Sequence, residues 1–262
     1  MAIAALYDIH GNLPAIEAVL EDVRMAKVDQ IVVGGDVLPG PMPCATLELL
    51  LHSDIPVGFI QGNGELAVLA QIGVESPDAV KYWGTISGEP LPESLQAVLR
   101  WTAEEVHPRY DQVLRSWPGT LRLEIAGLGQ VLFCHGTPRS EIECFTRLTP
   151  AHRLTSVFEG VGASVVVCGH THMQFDRVVG PVRVVNAGSV GMPFGRPGAY
   201  WALLGPGVEL RHASYDLTRA AERVRATSYP QAEEFAASNI LAPPSEDAML
   251  DAFARAELGA AP

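Results

Sequence analysis

Residues 164–172 read SVVVCGHTH: a β-branched apolar run, Val165–Cys168, that ends in Gly169-His170-Thr171-His172. The run has the length and composition of a strand buried on both faces. Alternate histidines at a strand terminus have little structural purpose. Past the end of a parallel strand, however, they stand where α/β sheets bind their ligands.

The pattern recurs upstream. The apolar run from Ile3 stops at Asp8-Ile9-His10-Gly11-Asn12, and Gln30–Val33 ends at Gly34-Gly35-Asp36. Val57–Ile60 ends at Gln61-Gly62-Asn63-Gly64-Glu65, and Gln130–Cys134 is followed by His135-Gly136. Helical patterns lie between the first three runs. Pro14 opens one, with Ile16, Val19, Leu20 and Val23 at helical spacing, and a proline-rich loop leads into another near Cys44–His52. Strand, helix, strand, helix, strand predicts βαβ units and a parallel sheet. Later in the chain, glycine-containing turns join paired runs into hairpins: Leu121–Ala126 with Gln130–Cys134, Phe175–Val179 with Val182–Asn186, and Tyr200–Leu204 with Val208–Tyr215.

No repeat or linker divides the chain, which predicts a single domain over residues 1–262. Within it, residues 74–117 or so form a helical excursion, read as cover for the sheet rather than a specificity cap. A C-terminal helical tail spans about 216–262, with helices at Leu217–Arg225 and Ala232–Ala237; the Ala/Pro-rich stretch beyond Ile240 is expected to be loosely held.

Composition narrows the partners. The formal charge of −12 argues against stable nucleic-acid binding, which needs clustered Lys and Arg. The N-terminus reaches polar residues by position 8, so neither a signal peptide nor a membrane span is expected. Four cysteines without CxxC spacing fit reduced thiols, and the cytoplasm is the expected location. Nothing in the sequence fixes an oligomeric state.

The strand-end residues make a ligand set: two carboxylates (Asp8, Asp36), one amide oxygen (Asn63) and four imidazoles (His10, His135, His170, His172). Mixed nitrogen and oxygen donors suit manganese, iron or zinc, whereas an all-oxygen set would suggest magnesium or calcium. Seven ligands exceed one tetrahedral site but suffice for two ions about 3.5–4 Å apart sharing Asp36. Singly, each residue has an ordinary alternative. Asp8 could cap a helix, Asp36 could make an Asx turn, and Gly62-Asn63-Gly64 could be a tight turn. The ordinary readings fail together, since successive strand ends would all carry a metal-competent residue by accident.

The ordered blocks DIHGN (Asp8–Asn12), GGD (Gly34–Asp36), GN (Gly62–Asn63), HG (His135–Gly136) and GHTH (Gly169–His172), with NAGSVGMP at Asn186–Pro193, resemble the calcineurin-like metallophosphoesterase superfamily. The likeness is strongest to its small bacterial and archaeal phosphodiesterase branch, related to the diadenosine-tetraphosphatase and Ser/Thr-phosphatase groups. The resemblance implies an α/β fold, a four-layer α/β/β/α sandwich with metals at the strand carboxyl ends. It implies one divalent ion on Asp8, His10, Asp36 and His172, and a second on Asp36, Asn63, His135 and His170. Manganese is placed ahead of iron, zinc, nickel and magnesium. The implied activity is phosphoester hydrolysis, on a phosphodiester or nucleotide, by in-line attack of a metal-bridging water or hydroxide. Asp36, Asn63 and His10 carry the catalytic expectation.

The chain departs from the family at one position. Many members carry His after the Asn, where it serves the transition state or the leaving group; here Gly64 stands there, and Glu65 follows with no histidine to orient. General acid catalysis contributes about 10²–10⁴-fold, so substrates with good leaving groups are expected. Asn12, Arg139 and Arg196 are the candidates for contacting substrate phosphate, because polar and guanidinium donors match its oxygens. The alternatives are a Ser/Thr protein phosphatase and a non-catalytic metal-binding scaffold of the same fold.

Overall fold

The computed structural model describes residues 1–72, 91–255 and 258. The start of the expected helical excursion, residues 74–90, lies outside the described residues, as does nearly all of the chain beyond Arg255.

Two five-stranded mixed sheets form the body. The first has the order β10-β9-β1-β2-β3, and the second β4-β5-β6-β8-β7. In the first, β1 (Ile3–Leu6), β2 (Gln30–Val33) and β3 (Val57–Phe59) run parallel. The helices α1 (Leu13–Met25) and α2 (Pro43–Leu51) provide the crossovers, and α3 (Asn63–Gln71) follows β3. In the second, β5 (Gly129–Cys134), β6 (Val165–Cys168) and β8 (Val182–Asn186) are parallel, with β4 (Thr120–Ile125) and β7 (Phe175–Val179) as antiparallel edges. The hairpins expected from the sequence are present, and the C-terminal one, β9 (Ala199–Leu204) with β10 (Val208–Ala213), closes the first sheet by pairing β9 antiparallel to β1.

Side-chain alternation explains the layering. Ile3, Ala5 and Val32 meet Val131, Phe133, Val165 and Val167 between the sheets. Ala4, Leu6, Ile31 and Val33 face α1 and α2, while Leu132, Val166 and Val184 face α6 (Ala151–Phe158). Both faces of each sheet are covered, which gives the four-layer α/β/β/α sandwich. Tyr7 ties the sheets together: fully buried, its hydroxyl donates to the Val167 carbonyl at 2.9 Å.

Two expectations change. The excursion supplies α4 (Glu93–Val106) and α5 (Asp111–Ser116), and α4 does more than cover a sheet. Val98 packs with Tyr229 and Phe235 of the C-terminal segment, and the Trp101 ring meets Tyr229 edge-on at 5.4 Å. Nor is the chain past Ile240 loose. After α7 (Leu217–Arg225) and α8 (Ala232–Phe235) comes a π-helical stretch, Ala236–Leu241, and then α9 (Glu246–Ala254), capped by Ser245. A hydrogen bond from Gly195 N–H to the Pro244 carbonyl and an ion pair from Arg147 to Glu246 hold it down. The composition suggested a loosely held stretch; these contacts and the burial of Leu250 oppose it.

Candidate metal centre

The carboxyl ends of β1, β2, β3, β5 and β6 converge. Asp8 N–H donates to the Gly35 carbonyl, His10 N–H to the Asp36 carbonyl, and Gly169 N–H to the His135 carbonyl, which locks the strand-end loops together. The second sheet is tied to the first by His170 N–H donating to Asp8 Oδ2 at 2.9 Å. Asp8, His10, Asp36, His170 and His172 all have positive φ, between 47° and 64°. Non-glycine residues rarely adopt that region, and the strain gathers where side chains must be aimed rather than merely packed.

All seven expected ligands come together. Asp8, His10 and His172 offer donor atoms within 4.8 Å of one another, and so do Asp8, Asp36 and His135. Asp36 faces both groups, with Oδ1 3.5 Å from His135 Nε2 and Oδ2 3.8 Å from His10 Nε2. Asp8 Oδ1 lies 3.4 Å from His172 Nε2 and 3.7 Å from His135 Nε2. Asn63 Oδ1 is 3.0 Å from His135 Nε2, and His170 stacks edge-on to His135 with ring centres 5.1 Å apart.

Backbone carbonyls set the histidine tautomers. Nδ1 of His10, His135 and His172 faces the carbonyls of Pro39, Gly34 and Met192 respectively, at 3.3, 2.9 and 2.7 Å. Carbonyls only accept, so each of these Nδ1 atoms carries the proton and each Nε2 is turned inward with its lone pair. His170 is held the other way, with Nε2 facing the Ile142 carbonyl at 3.2 Å, which leaves Nδ1 free.

This arrangement fits a cation. Asp8 Oδ1 is buried without a hydrogen-bond partner. His10 Nε2 and His172 Nε2 stand 3.4 Å apart, two lone pairs face to face, and His135 Nε2 confronts the Asn63 oxygen in the same way. Such contacts need positive charge between them, either a proton or a metal ion. Burial disfavours charge on His135, yet Asp36 and Asp8 overcome it and push its pKa up to about 10. Burial, with His135 nearby, takes His170 down to about 4. At Asp36 burial opposes the anion, but His135 and the Gly64 N–H hold the carboxyl well below the usual range. The donor set, oxygen and imidazole, is one that divalent transition metals accept.

Sequence reasoning missed Glu65. Fully buried, it accepts from three backbone N–H groups: Asp36 at 2.9 Å, Gly62 at 2.8 Å and Leu38 at 3.0 Å. It organises the loops bearing Asp36 and Asn63, and needs no histidine to orient. Burial and the Asp36 charge push its pKa up to about 7. The Asn186–Pro193 stretch has a similar part. Ser189 donates to the Asp8 carbonyl at 2.8 Å, and the Asn186 amide donates to the Gly169 carbonyl at 2.7 Å.

The three expected phosphate contacts are placed otherwise. Asn12 is fully buried and uses both ends of its amide, accepting from Ala15 N–H as the α1 cap and donating to the Gly191 carbonyl. Arg139 is gripped by Glu143 through both Nε and Nη2. Arg196 is exposed, and neither arginine lines the cavity over the centre.

That cavity, about 410 Å³, is floored by His10, Asp36, Asn63, His170 and His172. Its walls come from Leu95 and Val98 of α4 and from Tyr229, Phe235, Pro244 and Phe253 of the C-terminal segment.

The chain belongs to the calcineurin-like phosphoesterase superfamily, whose domain profile matches residues 1–205. The buried Asp/His cluster makes it a metal-dependent phosphoesterase of that superfamily. Over 87% of its length the chain is 26% identical to the uncharacterised protein MJ0912 of Methanocaldococcus jannaschii, covering 94% of that protein. In structure it is similar to the hypothetical protein PH1004 of Pyrococcus horikoshii, with a TM-score of 0.76 at 22% identity over 93% of this chain and 99% of the other. It is also similar to a metallophosphoesterase of Sphaerobacter thermophilus, with a TM-score of 0.67 at 23% identity over 92% and 100% of the two chains. No helix among the described residues is long and apolar enough to cross a membrane.

Proposed function

We propose that the protein hydrolyses phosphoesters, diesters ahead of monoesters, at a centre of two divalent ions. One set of ligands is Asp8, His10, Asp36 and His172; the other is Asp36, Asn63, His135 and His170. The observation that carries this reading is Asp36, which turns one oxygen towards His10 and the other towards His135. When bound, the two ions would neutralise phosphate oxygens and acidify a water molecule for attack. Manganese suits the mixed donors.

The protein's own contribution is placement. The carbonyls of Gly34, Pro39, Met192 and Ile142 keep each imidazole in one tautomer and one orientation. No ionisable side chain follows Asn63 directly, so nothing at Gly64 can protonate a departing alkoxide. Aryl esters should therefore exceed alkyl esters.

The test combines metal analysis with hydrolysis of bis(p-nitrophenyl) phosphate and p-nitrophenyl phosphate. Two ions per chain and faster turnover of the diester are expected, and Asp36→Asn should lose both metal and activity. Two bound ions with no turnover of either ester would favour the scaffold reading. Absence of metal, with Asp36→Asn indistinguishable from the parent, would sink the proposal.

A further inference from the structure

The cavity over the metal centre has an unequal lining. Beside its floor, the walls are aliphatic and aromatic: Leu95 and Val98 on one element, Tyr229, Phe235 and Phe253 on others. The aromatic surface reaches the centre itself. Phe194 stacks on the His172 ring at 5.3 Å, and Phe253 meets Phe194 at 6.3 Å. The polar wall residues are Gln231, Glu234, Ser238 and Asn239, and among the described residues that line the cavity there is no lysine or arginine. A second phosphate beyond the scissile one finds its usual side-chain partners in guanidinium or ammonium groups. Here it would meet Glu234 and apolar surface. An uncharged planar group would bury against Phe253 and Leu95 instead, and the volume is ample for one.

We propose that this roof, built by α4 and the segment 229–253, is the specificity pocket of the enzyme. It receives an uncharged aromatic or apolar alcohol half of a substrate with a single phosphate, and it rejects polyphosphates. The inference rests on the phosphoesterase reading and deepens it. The roof is assembled by mutual packing, Val98 with Tyr229 and Phe235, so its two parts form one wall system rather than independent decorations.

The test uses the full-length, manganese-loaded protein and two non-hydrolysable ligands, phenylphosphonate and methylphosphonate, with affinities measured by calorimetry. Burying the ring predicts that phenylphosphonate binds on the order of tenfold or more tightly. Phe253→Ala and, separately, Leu95→Ala should each shrink that ratio several-fold; Leu95 is only half-buried, so its variant remains informative should Phe253→Ala fold poorly. Glu234→Arg should raise affinity for tripolyphosphate, which the parent binds weakly. A ratio near one in the parent, or a ratio unmoved in both alanine variants, overturns the pocket while leaving metal content and turnover of bis(p-nitrophenyl) phosphate intact. Tight tripolyphosphate binding by the parent overturns it too. If the protein takes up no metal and hydrolyses no ester, the phosphoesterase reading falls and the pocket falls with it.

Discussion

The backbone N–H of Gly64 donates a 2.7 Å hydrogen bond to Oδ1 of Asp36. The position where the family resemblance implied a histidine is thus occupied by contacts of its own. A Cβ on Gly64 would lie 2.0 Å from the Leu38 carbonyl oxygen and 2.9 Å from Asp36 Oδ1. Installing a histidine there is accordingly no simple gain of a proton donor. Gly64→Ala and Gly64→His should both destabilise the protein by about 1–3 kcal/mol, the usual range for overpacking, and both should weaken metal uptake. Thermal melts with and without manganese check this; an alanine variant that melts and binds like the parent would refute it.

Glu65 accepts three backbone N–H groups, and glutamine cannot match it, since its NH₂ end would face a donor. Glu65→Gln should cost about 1–3 kcal/mol through the N–H left unpaired. Metal affinity should fall about 10–100-fold, as for other groups that support ligands from behind. Chemical denaturation and a metal titration measure the two effects separately. Loss of stability with unchanged metal affinity would show that Glu65 serves only the fold.

Asp8 Oδ1 has no hydrogen-bond partner, so a bound cation should supply its missing contact. Saturating manganese should raise the melting temperature, with about 2.7 kcal/mol of stabilisation at a hundredfold excess over Kd. Chelation should reverse it. In Asp8→Asn the manganese-induced rise should largely vanish; a full rise in that variant would place the ion elsewhere.

Arg139 and Glu143 offer a contrast. Glu143 is buried and accepts from Arg139 and Thr137. Burial raises its pKa, but the Arg139 and Thr137 hydrogen bonds outweigh that and leave it below the ordinary glutamate value. A depressed folded pKa means that the pair stabilises above the unfolded value, about 4.3. The contribution is lost as pH falls through the folded value. Arg139→Ala should therefore lower stability at neutral pH, and the difference from the parent should narrow in acid. KM for an aryl phosphodiester should stay within about twofold, since a group outside the cavity contributes no uniform binding. A large rise in KM would restore Arg139 as a phosphate contact.

Much of the site is legible in the sequence. Strand-terminal Asp8, Asp36, Asn63, His135, His170 and His172 announce themselves because apolar runs end at polar residues, and period and punctuation are local properties. The hairpins were legible for the same reason. What was hidden depends on which partner the fold turns towards each side chain. Glu65 reads as an orphaned glutamate until the N–H groups of Asp36 and Leu38 are brought to it. Arg139 reads as a phosphate clamp until Glu143, four residues on, takes its guanidinium. The alanine- and proline-rich chain beyond Ile240 looks uncommitted because its anchors come from the Phe194–Gly195 loop and Arg147 rather than from its own pattern.

The positive φ angles of Asp8, His10, Asp36, His170 and His172 set chemistry and foldability against each other. Glycine would suit each of these backbone positions better, since a side chain at positive φ costs on the order of 1 kcal/mol. Selection for thermal robustness alone would thus drift towards glycine at the very residues that hold the cluster. Asp and His stand there instead, and the apolar packing on both faces of each sheet offsets the strain that aiming them at one point entails.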